Sequence, residues 1–369
     1  MSQAQFVKSA SLKLKNDGSS KNLIIGFDGF VDEIIHVVEE RQAIDRYTRV
    51  ETIGAFASKI AAAAGLSANI EFFPTQTKLG GNGPILANAL ALQNHSISYI
   101  GAIGEGGIDP VFADFASVCK KVVTMAAPGH ADALEFDDGK IICGKTASLP
   151  AVNWDKLLDL IDENELKDMI RESSLLGFTN WMELPNFNSL LLGFNKILAE
   201  TKNRPAVFID LADPARRPTE EIKEVCNYIE KLQENADVIF GLNESESCQV
   251  AAVYGINADG FAERAAAIQQ KSRLCAVVIH PLAGAAVATK DGSWWIDGPY
   301  TKKPKLTTGA GDNFNAGFCN GWLSGLTPQE CLCSGVCTSG FYVRNCRSPK
   351  RDELVEFMAK WANIDCGDI

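Results

Sequence analysis

The sequence predicts an α/β protein in three layers, with helices packed on both faces of a mostly parallel β-sheet. From residue 153 onward, helical segments alternate with short apolar β-type runs, and this alternation is typical of a covered parallel sheet. The 369 residues are 46% apolar, which is enough for a large core. Because no linker or low-complexity segment interrupts the chain, we expect a single α/β domain over residues 1–369, with its core at about 22–360.

The predicted elements follow one another in a simple order. The first half contains β-type runs at 21–27 and 96–103, a helix at 51–66, and a helix that Pro84 can start. The second half alternates helices at 155–171, 190–201 and 219–234 with strands at 175–181, 206–211 and 238–242. A buried strand at 275–281, a hairpin strand at 293–297 and a helix at 326–344 follow.

Composition argues against several kinds of partner. The sequence contains 35 Lys and Arg residues and 46 Asp and Glu residues. The resulting net charge of −11 argues against a nucleic-acid-binding surface. The sequence contains no run of about 18 apolar residues, so no membrane-spanning helix is predicted. Residues 1–22 are polar and lack the apolar core of a signal peptide. We therefore expect a cytoplasmic protein with neither nucleic acid nor membrane as a partner.

The eleven cysteines are scattered, odd in number and mostly embedded in apolar segments. This pattern predicts reduced, buried thiols rather than disulfides. Cys331, Cys333 and Cys337 lie in a helical pattern with no nearby His and without the paired spacing of a zinc site. Core packing is therefore favoured over metal binding for this group.

The segment from Leu306 to Phe318 predicts a tight turn that opens a helix. Gly309 and Gly311 allow the backbone to approach a ligand closely, and the first amides of a helix have no internal acceptors. The helix dipole adds partial positive charge, so we expect a phosphate to bind there. Asp312 either caps the helix or accepts a proton from an attacking hydroxyl, and residue chemistry alone leaves both roles open.

The same segment resembles the C-terminal signature of the ribokinase-like (phosphofructokinase B-type) sugar and nucleoside kinases, at Gly309, Ala310, Gly311, Asp312, Phe314, Gly317 and Phe318. The resemblance implies that the amides of the Gly-Ala-Gly turn form an anion hole and that Asp312 is the catalytic base. It also implies ATP and Mg²⁺ as cofactors, and leaves a monovalent cation open. Leu306 replaces the usual Asp of the family, which weakens the subfamily assignment more than the activity, because that Asp is not the base.

Two acids follow the first β-type run. Asp28 and Asp32 lie beside two glycines, at the end of a strand where open α/β sheets bind their ligands. Residue chemistry alone favours a turn, because Asp-Gly is a turn sequence. The resemblance implies instead that Asp32, with Asp28 as the second candidate, binds hydroxyl groups of the acceptor.

A glycine turn then leads into the helix that Pro84 starts. Gly80, Gly81 and Asn82 resemble the first signature of the family, whose glycines let a sugar lie against the backbone. Ile85 replaces the Asn that the family usually has at that position. The identity of the acceptor therefore stays open between a small sugar and a nucleoside.

Three further positions match the family in the second half. Arg217 lies in a segment that resembles the family's Asp-Pro-Asn-x-Arg-Pro and is expected to touch the acceptor or phosphate, although an exposed Arg at a helix start is an equally good interpretation. Asn243 and Glu246 match an Asn-x-x-Glu motif that the family uses near metal and phosphates. The same spacing is typical of a capping box, and both roles are compatible if Glu246 acts on Mg²⁺ through water.

The strand at 275–281 ends in a turn at Gly284, where the family commonly has a Thr and glycines that face the nucleotide. Gly284 is the one matching position, so we expect it to contact the nucleotide. His280 departs from the family; a phosphate contact is one role, and a hydrogen-bonded structural histidine is favoured.

Residues 139–146 satisfy the phosphate-loop pattern G-x-x-x-x-G-K-[ST], with Lys145 as the lysine. That loop needs a helix starting at its lysine, whereas Lys-Ile-Ile-Cys favours a strand and Asp138-Gly139 favours a hairpin turn. The resemblance implies that segments of about 33–50 and 131–146 form a small β lid. Strands of such a lid can pair between subunits, so a homodimer is one expected assembly.

The leading hypothesis is an ATP-dependent kinase that phosphorylates a hydroxyl of a small sugar. A nucleoside kinase is the first alternative, in which Phe27 and Phe30 would stack on a base. A non-catalytic sensor of sugars or nucleotides on the same fold is the second, suggested by Ile85 and Leu306.

Overall fold

The computed structural model describes residues 1–367 and contains two β-sheets. The strands are β1 Asn22–Phe27, β2 Phe30–Ala43, β3 Arg46–Arg49, β4 Phe72–Gly80, β5 Ser96–Gly101, β6 Lys121–Thr124, β7 Gly129–Phe136, β8 Gly139–Lys145, β9 Leu175–Phe178, β10 Ala206–Asp210, β11 Asp237–Leu242, β12 Ala276–Ile279, β13 Gly284–Thr289 and β14 Gly292–Asp297. The helices are α1 Gln3–Asn16, α2 Ile53–Ala62, α3 Asn82–Leu92, α4 Ala113–Val118, α5 Trp154–Leu160, α6 Glu163–Glu172, α7 Phe187–Thr201, α8 Thr219–Leu232, α9 Glu244–Val253, α10 Phe261–Ser272, α11 Ala310–Leu323, α12 Pro328–Asn345 and α13 Arg351–Asn363.

Nine strands form the main sheet, in the order β14-β13-β12-β11-β10-β9-β1-β5-β6. The seven strands from β12 to β6 in that order pair in parallel, whereas β13 and β14 join antiparallel at one edge. Strands such as β9 and β10 are buried along their whole length, as expected for parallel strands covered on both faces. The predicted α/β class with a mostly parallel sheet is confirmed.

Helices cover both faces of the main sheet. Alternate residues of a strand point to opposite faces, and in β1 the side chain of Ile24 packs in one core while Leu23 and Ile25 pack in the other. The core around Ile24 includes buried residues of α5 to α10, and the core around Leu23 includes those of α1, α3, α11, α12 and α13. The two cores give the three predicted layers.

A second sheet of five strands, here called the small sheet, has the order β3-β2-β7-β8, with β4 paired to β2. The first half of β2 pairs with β4 and β7, and its second half pairs with β3. Strand β4 was not expected, because most of its residues are exposed and Pro74 interrupts its alternation. Only Asp28 and Gly29 separate β1 from β2, so this short link joins the two sheets.

The N-terminal helix α1 was also missed, because its apolar positions are few. Val7, Ala10 and Leu14 are buried against α12 and α13, and Ser2 caps the helix. The alanine-rich segment predicted as helical is confirmed as α2. Within residues 1–367, none of the helices combines the length and the hydropathy that a membrane crossing requires.

The packing of α11 on α12 depends on Gly317. A Cβ atom at Gly317 would lie 2.4 Å from Thr338 Oγ1 and 2.6 Å from the backbone oxygen of Ser334. We predict that Gly317→Ala lowers the free energy of unfolding by about 1–3 kcal/mol, because α11 must shift away from α12. The measurement is a urea or thermal unfolding curve.

Gly54 gives the matched control. It lies in the exposed first turn of α2, and a Cβ atom added there would have no neighbouring atom within 4 Å. Gly54→Ala should raise the free energy of unfolding by about 0.4–1 kcal/mol, since it restricts the unfolded chain. Equal effects of the two substitutions would contradict the proposed close contact between α11 and α12.

Candidate active site

The carboxyl ends of five neighbouring parallel strands bring polar side chains to one edge of the main sheet. Asp28 follows β1, Asn180 lies just after β9, Asp210 ends β10, Asn243 follows β11, and His280 follows β12. Ligands of open α/β sheets bind at such an edge. We therefore place the candidate active site there.

The glycine turn before α11 has the geometry of an anion site. Gly309 adopts a φ of 88°, a conformation that favours glycine, and forms the N-cap of this fourteen-residue helix. The N–H groups of Gly309, Gly311 and Asp312 make no hydrogen bond to another residue within 1–367, so they can receive an anion. The N–H of Ala310 donates to Thr307 O at 3.0 Å. The amide of Ala310 thus closes the turn, and its expected contribution to the anion hole stays a prediction.

Asp312 lies at the start of α11 and is only 7% exposed. Its Oδ1 accepts a hydrogen bond from Asn82 Nδ2 at 2.9 Å, which joins the two glycine turns. Burial raises the pKa of Asp312 well above its ordinary value, and the nearby carboxylates of Asp210, Asp28 and Glu246 raise it further. A carboxylate whose pKa is raised is a stronger base, so the site can accept a proton here.

Asp28 does not have the surroundings of a sugar ligand. Its carboxylate is fully buried and accepts hydrogen bonds from Asn82 N at 2.9 Å, Gly83 N at 2.8 Å and Asn180 Nδ2 at 2.6 Å. Burial raises its pKa to about 6, and these donors oppose the shift. Because both oxygens already accept N–H donors, these contacts favour a structural role for Asp28, and binding of the acceptor by Asp28 stays a prediction.

Asp32 has the opposite surroundings. It lies on β2 opposite Lys78 of β4, it is partly exposed, and its carboxylate makes no hydrogen bond to another residue of the described chain. A Cβ atom at Gly80 would come within 2.1 Å of Asp32 Oδ1, so glycine is required for this close approach. Burial raises the pKa of Asp32, and Lys78 opposes the shift. Asp32 is therefore available to a ligand that lies beside Gly80 and Gly81.

The guanidinium of Arg217 makes several contacts within the protein. Its guanidinium donates to the backbone oxygen of Trp181 at 2.7 Å and to that of Met182 at 3.0 Å, and it forms an ion pair with Glu221. It also stacks over the Trp181 ring at 4.2 Å. These contacts stabilise the loop that carries Asn180. They favour a structural role for Arg217, and its contact with the acceptor or phosphate stays a prediction.

Asn243 and Glu246 form a complete capping box at the start of α9. The two oxygens of Glu246 accept the N–H groups of Asn243 at 2.7 Å and of Asp213 at 2.8 Å. Burial raises the pKa of Glu246 to about 8, and the neighbouring Asp210 adds to this rise. With both oxygens bonded, Glu246 could hold a metal ion through water but is poorly placed for direct coordination.

A cavity of about 420 Å³ adjoins the anion turn. Three residues expected at the nucleotide, Asn243, Gly284 and Gly311, line it together with His280. The Nε2 atom of His280 is buried without a partner in residues 1–367, and burial lowers the pKa of this His to about 4. The cavity is also lined by residues that the sequence did not identify: Pro299, Tyr300, Thr301, Pro304, Ser339 and Gly340.

The sequence interpretation missed Asn180 and the full role of Asp210. Asp210 is 5% exposed, accepts hydrogen bonds from Ala212 N and Asn315 Nδ2, and has its pKa raised to about 6 by burial. Asp210 ends a parallel strand, and Asn180 lies two residues after one, close to the positions that Asp28 and Asn243 occupy on their strands. A polar residue at that position was the available signal.

The structure also bears on two alternatives. Lys145 ends strand β8, is 60% exposed and pairs with Asp132, so no helix starts at it and the phosphate-loop interpretation is rejected. Phe27 is fully buried and stacks on Phe178 at 5.0 Å, and Phe30 is 7% exposed. Neither phenylalanine is available to stack on a nucleoside base.

Comparison with curated proteins identifies a relative of similar length. A ketohexokinase from Haloferax volcanii is 27% identical over 351 residues, which cover 94% of this chain and 92% of the relative. Solved structures share the fold at lower identity. Ribokinase of Arabidopsis thaliana, solved with ribose and ATP, has a TM-score of 0.65 at 16% identity and covers 92% of this chain and 99% of its own.

A mutant of Escherichia coli phosphofructokinase-2 has a TM-score of 0.64 at 13% identity, with 92% of this chain and 98% of that chain covered. Such identities show a common fold alone. The family profile described as prokaryotic ketohexokinase matches residues 2–361, nearly the whole sequence. The chain therefore belongs to the prokaryotic ketohexokinase family, within the ribokinase-like carbohydrate kinases.

Proposed function

We propose that this enzyme transfers the γ-phosphoryl group of ATP to a hydroxyl of a ketohexose, with Asp312 as the base. One observation carries the proposal. Asp312 is a buried carboxylate with a raised pKa, and Asn82 of the other glycine turn holds one of its oxygens. It lies at a turn where the N–H groups of Gly309, Gly311 and Asp312 make no hydrogen bond to another described residue. The ketohexose is suggested by the name of the Haloferax volcanii relative.

The proton and the phosphoryl charge would be handled by different groups. Asp312 accepts the proton of the acceptor hydroxyl as that oxygen attacks phosphorus. The free N–H groups of Gly309, Gly311 and Asp312 donate to the oxygens of the transferring group, where negative charge is concentrated. Both act at the start of α11, whose dipole favours an anion.

The acceptor would lie between the main sheet and the small sheet. Asp32 is the carboxylate there that makes no hydrogen bond to another described residue, and polyols are held by convergent carboxylates and amides. Gly80 and Gly81 leave the backbone open to a close approach, and Asn82 connects this region to the base. The small sheet would then act as the lid over the acceptor.

The nucleotide would occupy the cavity beside the turn. Its walls combine Asn243, Gly284 and Gly311 with apolar residues, as expected for a base and ribose above a phosphate site. ATP use is supported by the Arabidopsis thaliana ribokinase, whose structure contains ATP. His280 lies in the same cavity with an unpaired Nε2 that can bond to the nucleotide.

At the same edge of the main sheet, Mg²⁺ would be held through water rather than by direct coordination. Within residues 1–367, no group of three or more His, Cys, Asp or Glu side chains is arranged to hold a metal ion. Burial raises the pKa of Asp210 and Glu246, whose oxygens already accept N–H donors, so these acids would hold the ion through water. When bound, Mg²⁺ neutralises phosphate charge and needs few protein ligands.

Replacing the base gives the first functional prediction. We expect Asp312→Asn to lower kcat by about 10²–10⁴-fold, because the isosteric amide cannot accept the proton. The dissociation constant for ATP should change little, since the turn amides remain. Steady-state kinetics and calorimetric ATP titration make the measurement. Lys145→Ala, at the rejected phosphate loop, is the control and should leave both values unchanged.

A substrate panel tests the acceptor class. We expect the highest kcat/KM for a ketohexose, lower values for aldohexoses and pentoses, and no turnover of nucleosides, because Phe27 and Phe30 are buried. ADP release in the presence of ATP and Mg²⁺ is the measurement. Sugar binding without ADP release from any acceptor would show a sensor and end the proposal.

Asp32 is expected to bind the acceptor. Asp32→Asn should lower kcat/KM for the sugar by about 10–100-fold, in line with about 1.5–3 kcal/mol for a hydrogen bond to a charged group. ATP affinity should not change. Glu33→Gln is the matched control, because the next residue of β2 points to the other face of the small sheet. An unaltered KM and kcat in Asp32→Asn would remove Asp32 from the acceptor site.

A further inference from the structure

The start of helix α3 is capped by a residue that is distant in sequence. The N-cap residue Gly81 has no side chain, so the first N–H groups of α3 have no local acceptor. The carboxylate of Asp28, 54 positions before Asn82, takes this role. Its Oδ2 accepts Asn82 N at 2.9 Å and its Oδ1 accepts Gly83 N at 2.8 Å. A negative charge at this place also interacts favourably with the helix dipole.

Glycine makes this cap sterically accessible. A Cβ atom at Gly81 would lie 2.9 Å from Asp28 Oδ2, and one at Gly83 would lie 2.7 Å from Asp28 Oδ1. Gly81 also has a φ of 94°, which side chains rarely adopt. The two glycines that flank Asn82 are therefore required by the carboxylate.

Asp28 is itself held from the other side. Asn180 Nδ2 donates to its Oδ2 at 2.6 Å, and the Tyr99 hydroxyl donates to its backbone oxygen. The N–H of Asn180 donates in turn to Asp210 O at 3.1 Å. The cap is thus fixed to the ends of β1, β9 and β10 and can transmit their position to α3.

The side chain of Asn82 reaches Asp312. Its Nδ2 donates to Asp312 Oδ1 at 2.9 Å, and Asp312 Oδ2 makes no hydrogen bond to another described residue. One oxygen of the base is therefore fixed while the other is left for the acceptor hydroxyl. The orientation of the base depends on the position of Asn82, and that position depends on Asp28.

We propose that Asp28 is a positioning residue of the phosphoryl transfer: it fixes the start of α3 so that Asn82 holds Asp312 with one oxygen facing the acceptor. The inference rests on the proposed function, in which Asp312 is the base. It separates the two acids after β1, since Asp32 would bind the sugar and Asp28 would act through Asn82.

The chemistry at position 28 requires a carboxylate. Asp28 meets N–H donors at both oxygens, so both must be acceptors. Asn at this position would keep one acceptor and direct its NH₂ group at a donor. Burial raises the pKa of Asp28 to about 6, and the N–H donors from Asn180, Gly83 and Asn82 favour its charged form.

A double-mutant cycle on kcat tests the proposal with the full chain. Asp28→Asn and Asn82→Ala are each expected to lower kcat by about 10–100-fold, the loss that follows a small misplacement of a reacting group. The double variant should be no slower than the slower single variant, because both changes act through one contact. ATP affinity should be unchanged in all three. Hydrogen exchange of the first turn of α3 should be faster in Asp28→Asn than in the parent.

Glu330→Gln is the matched control, since Glu330 is also buried, at 1% exposure, and accepts the Thr327 N–H at the start of α12. It should lower Tm without lowering kcat. Losses in the cycle that multiply, or a rise in the sugar KM with unchanged kcat, would overturn the proposal and make Asp28 an independent ligand. A fall in Tm alone, as in the control, would overturn it as well.

A second variant covers the case in which Asp28→Asn does not fold, and ADP release by the parent chain separates failure of the proposed function from failure of the positioning role. Where Asp28→Asn does not fold, Asp28→Ser replaces it, because a hydroxyl accepts one N–H and leaves no NH₂ group facing the helix. A parent chain that releases no ADP with any sugar would overturn the proposed function. An active parent with multiplicative losses would overturn the positioning role of Asp28 alone.

Discussion

The burial of several carboxylates at one edge of the main sheet is the constraint on which the site depends. Asp28, Asp210, Glu246 and Asp312 are each at most 7% exposed. A buried charge is costly unless hydrogen bonds stabilise it, and here the donors are backbone N–H groups and Asn side chains. The fold supplies those donors because helix starts and strand ends meet at this edge. Burial and mutual repulsion still raise the pKa of these acids, so the edge favours the approach of a positive charge or a proton.

The number of donors on each carboxylate separates structural acids from reactive ones. Asp28 accepts three N–H groups, and Glu246 accepts two. Asp312 accepts one, and Asp32 accepts none from the described residues. An acid whose acceptor capacity is filled holds the backbone in place, whereas one with a free oxygen can bond to a substrate. The same criterion favours a structural role for Arg217, whose guanidinium donates to backbone oxygens and Glu221.

Local features were predictable from the sequence, and distant partners were not. The turn at Gly309 and the helix after it follow from glycine, helix geometry and apolar spacing within a few residues. The alternation of strands and helices likewise gave the main sheet. The family resemblance ranked Asp32 ahead of Asp28, but the hydrogen bonds that hold Asp28 could not be predicted, because their donors lie 54 and 152 residues away in the chain. Strand β4 was missed because an exposed strand with a proline has little periodicity. Its pairing with β2, which defines it as a strand, joins segments that are distant in sequence.

The two departures from the family signatures are neighbours in space. Ile85 and Leu306 line the same cavity of about 530 Å³, and Ile85 Cδ1 would be 3.3 Å from a Cβ atom at Gly309. Tyr342, in the same wall, donates its hydroxyl to Thr308 O at 2.8 Å and so supports the turn from that side. The two apolar residues at positions where the family resemblance implies polar ones thus share one cavity beside the anion turn. With Ile85 and Leu306 in place, Asp312 keeps its hydrogen bond from Asn82, and the N–H groups of Gly309, Gly311 and Asp312 still make no hydrogen bond to another described residue. These departures therefore give no reason to favour a sensor over a kinase.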